Sequence, residues 1–297
     1  MPKRKKILLI VCAVLLFVAV ALSVLLVLHL KQSEPEPSIP KEFTRVESRN
    51  LVVYFFAAGQ ADCTLLSSPD GNILVDTGLY ESRYGTLEIL KRLGVKHIDW
   101  LVITHAHADH YGGADAVISA FKVDNLLLGG GISTSYGYER MLEAAERENL
   151  NVVEPFAGMK FSVGETECTV LGPLRDYGDE NMNSVVLKVR YGNNVILLMA
   201  DTGFQAEAEL VTEYGERLRA DILKLGHHGS AYSTSEYFLK AVHPHYAVAS
   251  CGRDNEYGHP APSTRRRLLD LTIPLVITYE NYPAVIFECT GEEVIRK

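Results

Sequence analysis

Three imidazoles and a carboxylate fall within six residues in His105-Ala106-His107-Ala108-Asp109-His110. Neutral imidazole and carboxylate oxygen are the donors that zinc or a similar ion takes. The apolar run Trp100-Leu101-Val102-Ile103 precedes the cluster and Gly112-Gly113 follows it. A buried strand therefore empties into a tight turn of metal ligands. In such a turn His105 and His107 converge while Asp109-His110 points to a neighbouring position, which suits two ions rather than one. A solvated His-rich loop would need neither the strand before it nor the glycines after it.

Donors stand at further strand ends. Asp201 closes the apolar stretch Leu197-Leu198-Met199-Ala200, where its carboxylate can bridge two ions or cap the helix near Gln205. His227-His228-Gly229-Ser230 follows Ile222-Leu223-Lys224-Leu225. Adjacent His side chains diverge, so one of the pair binds metal while the other meets substrate or solvent. Asp76 closes another strand and either orients a ligating His from behind or makes a local turn. His259, in the Gly/Pro-rich loop Asn255–Pro260, borders the site, whereas His29, His97, His243 and His245 lack such a setting. Arg265-Arg266-Arg267 reads as a solvated basic helix face.

Short strands and helices must position these groups. Leu51–Phe56, Cys63–Leu66 and Asn72–Asp76 read as strands, with Ser68-Pro69-Asp70-Gly71 as a hairpin turn. Ser82–Leu93 reads as a helix ending before Gly94, and Trp100–Thr104 as the strand feeding the cluster. A second β-rich arm runs from Phe161 to Met199. Helix and strand then alternate to a final strand at Ala284–Glu288. Two β-rich arms, each followed by helices, predict two sheets face to face with helices outside.

The N-terminus has a different texture. Lys3-Arg4-Lys5-Lys6 precede an apolar run over 7–30, long enough to cross a bilayer. The positive-inside bias makes residues 1–6 a cytoplasmic tail and 7–30 an uncleaved signal anchor of the cell membrane, with everything later outside. Cys12 follows Ile10-Val11 rather than small residues, so a lipoprotein site is not expected. Residues 31–42 are a polar Pro-rich spacer, and 43–297 form the expected hydrolase domain. Beyond residue 30 there are 25 basic and 37 acidic residues, a net of −12 that argues against a general polyanion binder. No C-x-x-C spacing exists, so thiolate metal sites are not expected.

The order His105-x-His107-x-Asp109-His110, Asp201, His227 resembles the metallo-β-lactamase superfamily. Within it, the chain more closely resembles the extracytoplasmic domain of ComEC-type competence proteins and related phosphodiesterases. Phe56–Asp62, Ile73–Gly78, Asn183–Leu187, His227–Ser230 and Gly252–Pro260 carry this resemblance, which spans roughly 51–288. It implies an αββα sandwich, with His105 and His107 on a first metal, Asp109, His110 and His227 on a second, and Asp201 bridging. His227 is preferred to His228 because it comes sooner after the strand and matches the family's Gly-His step. Departures are plain: the usual Gly-Gln-Gly-Asp reads Gly59-Gln60-Ala61-Asp62, and the usual Gly-Asp reads Ala200-Asp201. No His occurs from Tyr111 through Asp201, so the family's third-motif His is missing, with Asn183 as a neighbouring donor.

The resulting expectation is a membrane-anchored extracellular phosphodiesterase holding Zn²⁺, two ions, with Mn²⁺ as the alternative. Such ions lower the pKa of a water and neutralise charge on the phosphoryl group. Asp109 orients the nucleophile, and His228 and His259 are the other catalytic candidates. The substrate is nucleic acid or an envelope phosphodiester, with net acidity favouring a small or polymer-end diester. Lactone, thioester or β-lactam hydrolysis, and a non-catalytic binding module assisting DNA uptake, are the alternatives. The sequence has no multi-span channel region, so DNA transport by this chain alone is not expected.

Overall fold

The computed structural model describes residues 15–23 and 38–297. Residues 15–23 are helical (α1), with Leu15, Leu16 and Phe17 exposed. The rest of the anchor expected over 7–30, the basic tail 1–6 and spacer residues 31–37 lie outside the described residues. Among the described residues no helix is long and apolar enough to cross a membrane.

Residues 39–297 form one compact unit. Its first sheet contains β1 (Leu51–Phe56), β2 (Thr64–Ser68), β3 (Gly71–Val75), β4 (His97–Ile103), β5 (Lys122–Leu128), β6 (Asn151–Val153), β14 (Ala284–Cys289) and β15 (Val294–Arg296), in the order β15-β14-β1-β2-β3-β4-β5-β6. The second contains β7 (Lys160–Val163), β8 (Thr166–Gly172), β9 (Val186–Tyr191), β10 (Asn194–Leu198), β11 (Ile222–Lys224), β12 (Tyr246–Ala249) and β13 (Leu275–Ile277), in the order β13-β12-β11-β10-β9-β8-β7. Each sheet is antiparallel in one part and parallel in the other. In the first, β3, β4, β5 and β6 run parallel; in the second, β10, β11, β12 and β13 do.

Alternation along the strands explains the layers. In β1, Leu51, Val53 and Phe55 point to the core between the sheets, while Val52, Tyr54 and Phe56 point to the helix side. Both faces are apolar, which is why such strands read as continuous hydrophobic runs. On the first sheet's outer face pack α2 (Arg83–Arg92), α4 (Ala114–Ala120) and α5 (Tyr136–Arg147), through Leu90, Val117 and Met141. On the second pack α6 (Phe204–Tyr214), α7 (Glu236–Val242) and α8 (Pro262–Asp270), through Leu210, Phe238 and Leu268. This is the expected αββα sandwich.

Details differ from the sequence reading. The strand after Glu288 was not expected: β15 pairs Val294 with Cys289. It is three residues long and mostly exposed, so no apolar pattern announces it. The spacer's end is docked rather than extended away. Arg92 Nη1 donates to the carbonyls of Ile39 (3.1 Å) and Pro40 (2.9 Å), and Ile39 packs on the outer core. Cys63, Cys168, Cys251 and Cys289 are buried and free.

Candidate metal centre

Parallel strands of both sheets end at one edge. There the chain leaves β3 at Asp76, β4 at Thr104, β10 at Met199, β11 at Leu225 and β12 at Ser250. Ligand sites of α/β sheets lie outside the carboxyl ends of their strands, where backbone donors and acceptors are freed. Val185 N, just before β9, donates to Thr104 O at 3.0 Å and so joins the two strand-end regions.

The His turn is held from behind. Asp76 accepts from Thr104 N (2.8 Å) and Thr104 Oγ1 (2.9 Å), and its Oδ2 lies 2.8 Å from His110 Nδ1. Thr77 N and Oγ1 donate to His110 O, at 2.7 and 2.9 Å. With Nδ1 engaged by a carboxylate, His110 presents Nε2 inward. The short helix α3 (Ala108–Tyr111) carries Asp109 and His110. Gly130, at φ +67, closes the turn over His105; a Cβ there would lie 2.3 Å from that of His105.

The second sheet brings Asp201 and His228. His110 Nε2 lies 3.4 Å from Asp201 Oδ1, and His228 Nε2 lies 3.6 Å from Asp201 Oδ2 and 3.2 Å from Asp109 Oδ2. One ligand atom from each of Asp109, His110, Asp201 and His228 lies within 4.8 Å of the others. His228 is oriented as His110 is, because its Nδ1 is 2.9 Å from Ser250 O. Asp201 does not cap α6, whose N-cap is Gly203.

The geometry gathers His228 rather than His227 with Asp109, His110 and Asp201. Both residues are left-handed, at φ 46 and 55, so the chain doubles back after β11 and drives the second ring inward. The His228 side chain is 2% exposed, whereas that of His227 is 37% exposed, with its Nε2 3.7 Å from Asp201 Oδ2. His259 stands over the pair, 5.8 Å from the His227 ring and 6.3 Å from the His228 ring by centroids. His105 is fully buried with its ring 4.6 Å from that of His107, whose Nε2 lies 2.8 Å from Glu180 Oε2.

Two residues without an expected role support the site. Lys224, on β11, makes a buried ion pair with Asp62, whose Oδ1 is 3.4 Å from His228 Nδ1. A lysine inside an apolar strand was the available signal, since such a charge is buried only with a partner.

Burial opposes every charge here, and at each group the neighbours either overcome it or do not. Against burial, Asp201 and then Asp76 hold the His110 pKa well above the usual imidazole value. Against burial again, Asp201 and Asp62 push His228 up to about 10. His228 and His110 in turn keep the Asp201 carboxyl well below the carboxylate range despite burial. At His105 burial prevails and the pKa falls well below normal.

These residues fit a metal. His105 Nε2, His110 Nε2 and Asp201 Oδ1 are buried without a hydrogen-bond partner, a costly state for polar atoms that have nothing to bind. His110 and Asp201 belong to one group of imidazole and carboxylate donors that could hold a divalent cation, and the His105 ring lies 4.1 Å from that of His110.

The metallo-beta-lactamase superfamily profile matches residues 57–253. The chain belongs to that superfamily. It is 34% identical over 235 residues to Competence protein ComA of Neisseria gonorrhoeae, covering 78% of this chain and 32% of that protein. It is 30% identical over 242 residues to ComE operon protein 3 of Bacillus subtilis, covering 75% of this chain and 31% of that protein. The chain thus spans about a third of the length of these curated relatives. The metallo-beta-lactamase fold protein YhfI from Bacillus subtilis superposes with a TM-score of 0.55 at 12% identity, covering 81% of this chain and all of that one. At that identity the likeness concerns the fold alone.

Proposed function

We propose that this chain is a metal-dependent phosphodiesterase. The observation that carries the reading is the convergence of Asp109, His110, Asp201 and His228, with both imidazoles turned inward by partners at Nδ1. Asp109, His110, Asp201 and His228 would hold one ion, and His105 and His107 would supply the imidazoles for a second. Zn²⁺ suits the imidazoles, and Mn²⁺ is the alternative where carboxylate oxygen counts for more. The chemistry such ions supply when bound is a water of lowered pKa and neutralised charge at the phosphoryl group.

His259 has a separate task. Gln60 Oε1 accepts from Gly252 N at 3.2 Å, which turns its amide nitrogen to His259 Nδ1, also at 3.2 Å. Nδ1 is then the acceptor, so the proton sits on Nε2. From the rim, that N–H can donate to a phosphoryl oxygen or the leaving group as charge develops. His227, half-exposed beside it, faces the same space. Similarity to proteins named for competence supports a polynucleotide among the diesters, and the net charge supports short or terminal ones.

The reading is tested by assaying a bis-aryl phosphate, single-stranded and plasmid DNA, a lactone and a chromogenic β-lactam, with metal content measured alongside. Diester turnover is expected, falling about 10²–10³-fold in Asp109→Asn, in line with losing one electrostatic group at a reaction centre. Turnover of carbonyl substrates alone would overturn the assignment, and metal without any turnover would leave a binding module. We infer further that residues 7–30 anchor the chain with its domain outside the cell. Protease added to intact cells should then remove the domain, and protection would contradict this orientation.

A further inference from the structure

The loop that steadies His110 continues into a second surface. Thr77, whose N and Oγ1 hold His110 O, is followed three residues later by Tyr80. A Cβ on Gly112 would lie 2.5 Å from Tyr80 N, and one on Gly113 would lie 3.5 Å from Arg83 Cβ. The loop and the start of α2 are thus pressed against the end of α3, which carries Asp109 and His110. Tyr111 Oη is hydrogen-bonded to Oγ of Ser135, the N-cap of α5, and this brings Tyr136 and Arg140 to the same face.

Five side chains alternate there. The Arg83 guanidinium carbon lies 3.4 Å from the centre of the Tyr80 ring and 4.3 Å from that of Tyr84. The Arg140 guanidinium carbon lies 4.3 Å from the Tyr80 centre and 5.2 Å from that of Tyr136. The order along the surface is Tyr84, Arg83, Tyr80, Arg140, Tyr136. Tyr84 and Tyr136 are 67% and 73% exposed, and Tyr80 between them is 36% exposed. Among the described residues Arg83 makes no ion pair, and the one pair of Arg140 sets its Nε 3.5 Å from Asp115.

Cation–π contacts at the surface stabilise weakly, and rings this exposed bury little. What the ladder offers is open π faces interleaved with guanidiniums held flat by stacking, their N–H edges turned to solvent. A phosphate polymer without bases would engage the guanidiniums and leave the rings idle. A protein interface keeps charged groups out of its centre, where both guanidiniums stand here. A single polynucleotide strand uses every part, because bases stack on the rings and phosphates meet the guanidiniums. We propose that this ladder binds the single-stranded end, or a short single-stranded piece, of the polynucleotide that the metal centre cuts. The inference rests on the phosphodiesterase reading above. It is compatible with the acidic chain, since stacking rather than net charge supplies most of the affinity.

The test is binding, measured apart from turnover. The full chain in chelator is titrated into a fluorescent single-stranded DNA of about 12 nucleotides, within the range of site sizes for such surfaces. A hairpin duplex and an abasic strand of the same length serve as the other probes, and metal content and diester turnover are measured separately. The single strand should bind at least about 10-fold tighter than either. Tyr84→Ala and Tyr136→Ala should each weaken it by about 10-fold, and the Phe variants, which keep the ring face, by less than about 3-fold. Two guanidiniums predict a slope of log affinity on log salt near about −1.4, falling by about 0.7 in Arg83→Ala. Unchanged unfolding midpoints show that the variants fold. Equal affinity for the abasic strand, or unchanged binding in both alanine variants, would overturn the proposal; diester turnover in the same protein would leave the hydrolase reading standing. A wild type that binds the strand through these rings, yet takes no metal and turns over no diester, would overturn the hydrolase reading and with it the strand's place as substrate.

Discussion

His105, His107, Asp109 and His110 come from one turn after β4, whereas Asp201 and His228 arrive singly from β10 and β11, and the two regions are supported by different physics. In the first, hydrogen bonds carry the load: Asp76 alone holds Thr104 twice and His110 once. In the second, the backbone is forced. Ala200, His227 and His228 all have positive φ, at 46, 46 and 55. Asp76 is the first region's own strained residue, at φ 58. Beneath His228 lies a buried ion pair instead of a hydrogen-bonded turn. Donors adjacent in sequence need only be oriented. Donors brought from separate strands must also be bent into place, and strain and buried charge do that.

The largest effect should come from breaking the second region's buried pair. The Lys224 and Asp62 side chains are 3% and 7% exposed. Asp62→Asn leaves a buried ammonium beside His228 without its counter-ion, expected to cost about 3–5 kcal/mol in denaturant unfolding. Asp62→Leu with Lys224→Met should recover most of that, because neither charge is then left alone. A single-variant loss below about 1 kcal/mol would mean that the pair does not support this half.

Next comes the choice within the His pair. His228→Ala should weaken metal binding by at least about 100-fold, whereas His227→Ala should change it by less than about 3-fold. Equal losses would erase the distinction that the left-handed turn imposes. Sequence could not make this choice. Spacing after β11 favours the first histidine, and only the φ values of both residues reveal that the second turns inward. Lys224 could be flagged inside its strand, but its partner is 162 positions away. By contrast, the His turn was readable because strand and donors are contiguous. So was the sandwich, because β1 and β10 are apolar on both faces. The three-residue β6 and β15 bury too little to leave a pattern.

In the first region the informative change is Asp76→Asn. The amide oxygen can still accept from Thr104, but the amide nitrogen would then face His110 Nδ1 as a donor. His110 would have to carry its proton on Nε2, the nitrogen meant for metal, so the geometry survives and the tautomer does not. Metal affinity should fall about 10–100-fold with little loss of stability. Unchanged affinity would show that Asp76 holds the turn without setting the ring's proton.

The smallest effect isolates strain. Ala200 sits at φ 46, directly before Asp201, at a place where the resembling family has glycine. Left-handed backbone costs a residue with a Cβ about 1–2 kcal/mol. Replacing it by glycine removes that cost but adds unfolded-state freedom worth about 0.4–1 kcal/mol. Ala200→Gly should therefore stabilise the chain by between about 0 and 1.6 kcal/mol in denaturant unfolding. Metal affinity separates the two roles this residue can have. If the strained backbone merely accompanies the bend, stability rises and affinity holds, because His227 N still bonds to the residue-200 carbonyl, now at 2.8 Å. If the methyl group also stiffens the approach to Asp201, the same variant gains stability and loses affinity, and the second region's ligands are positioned by rigidity as well as by shape.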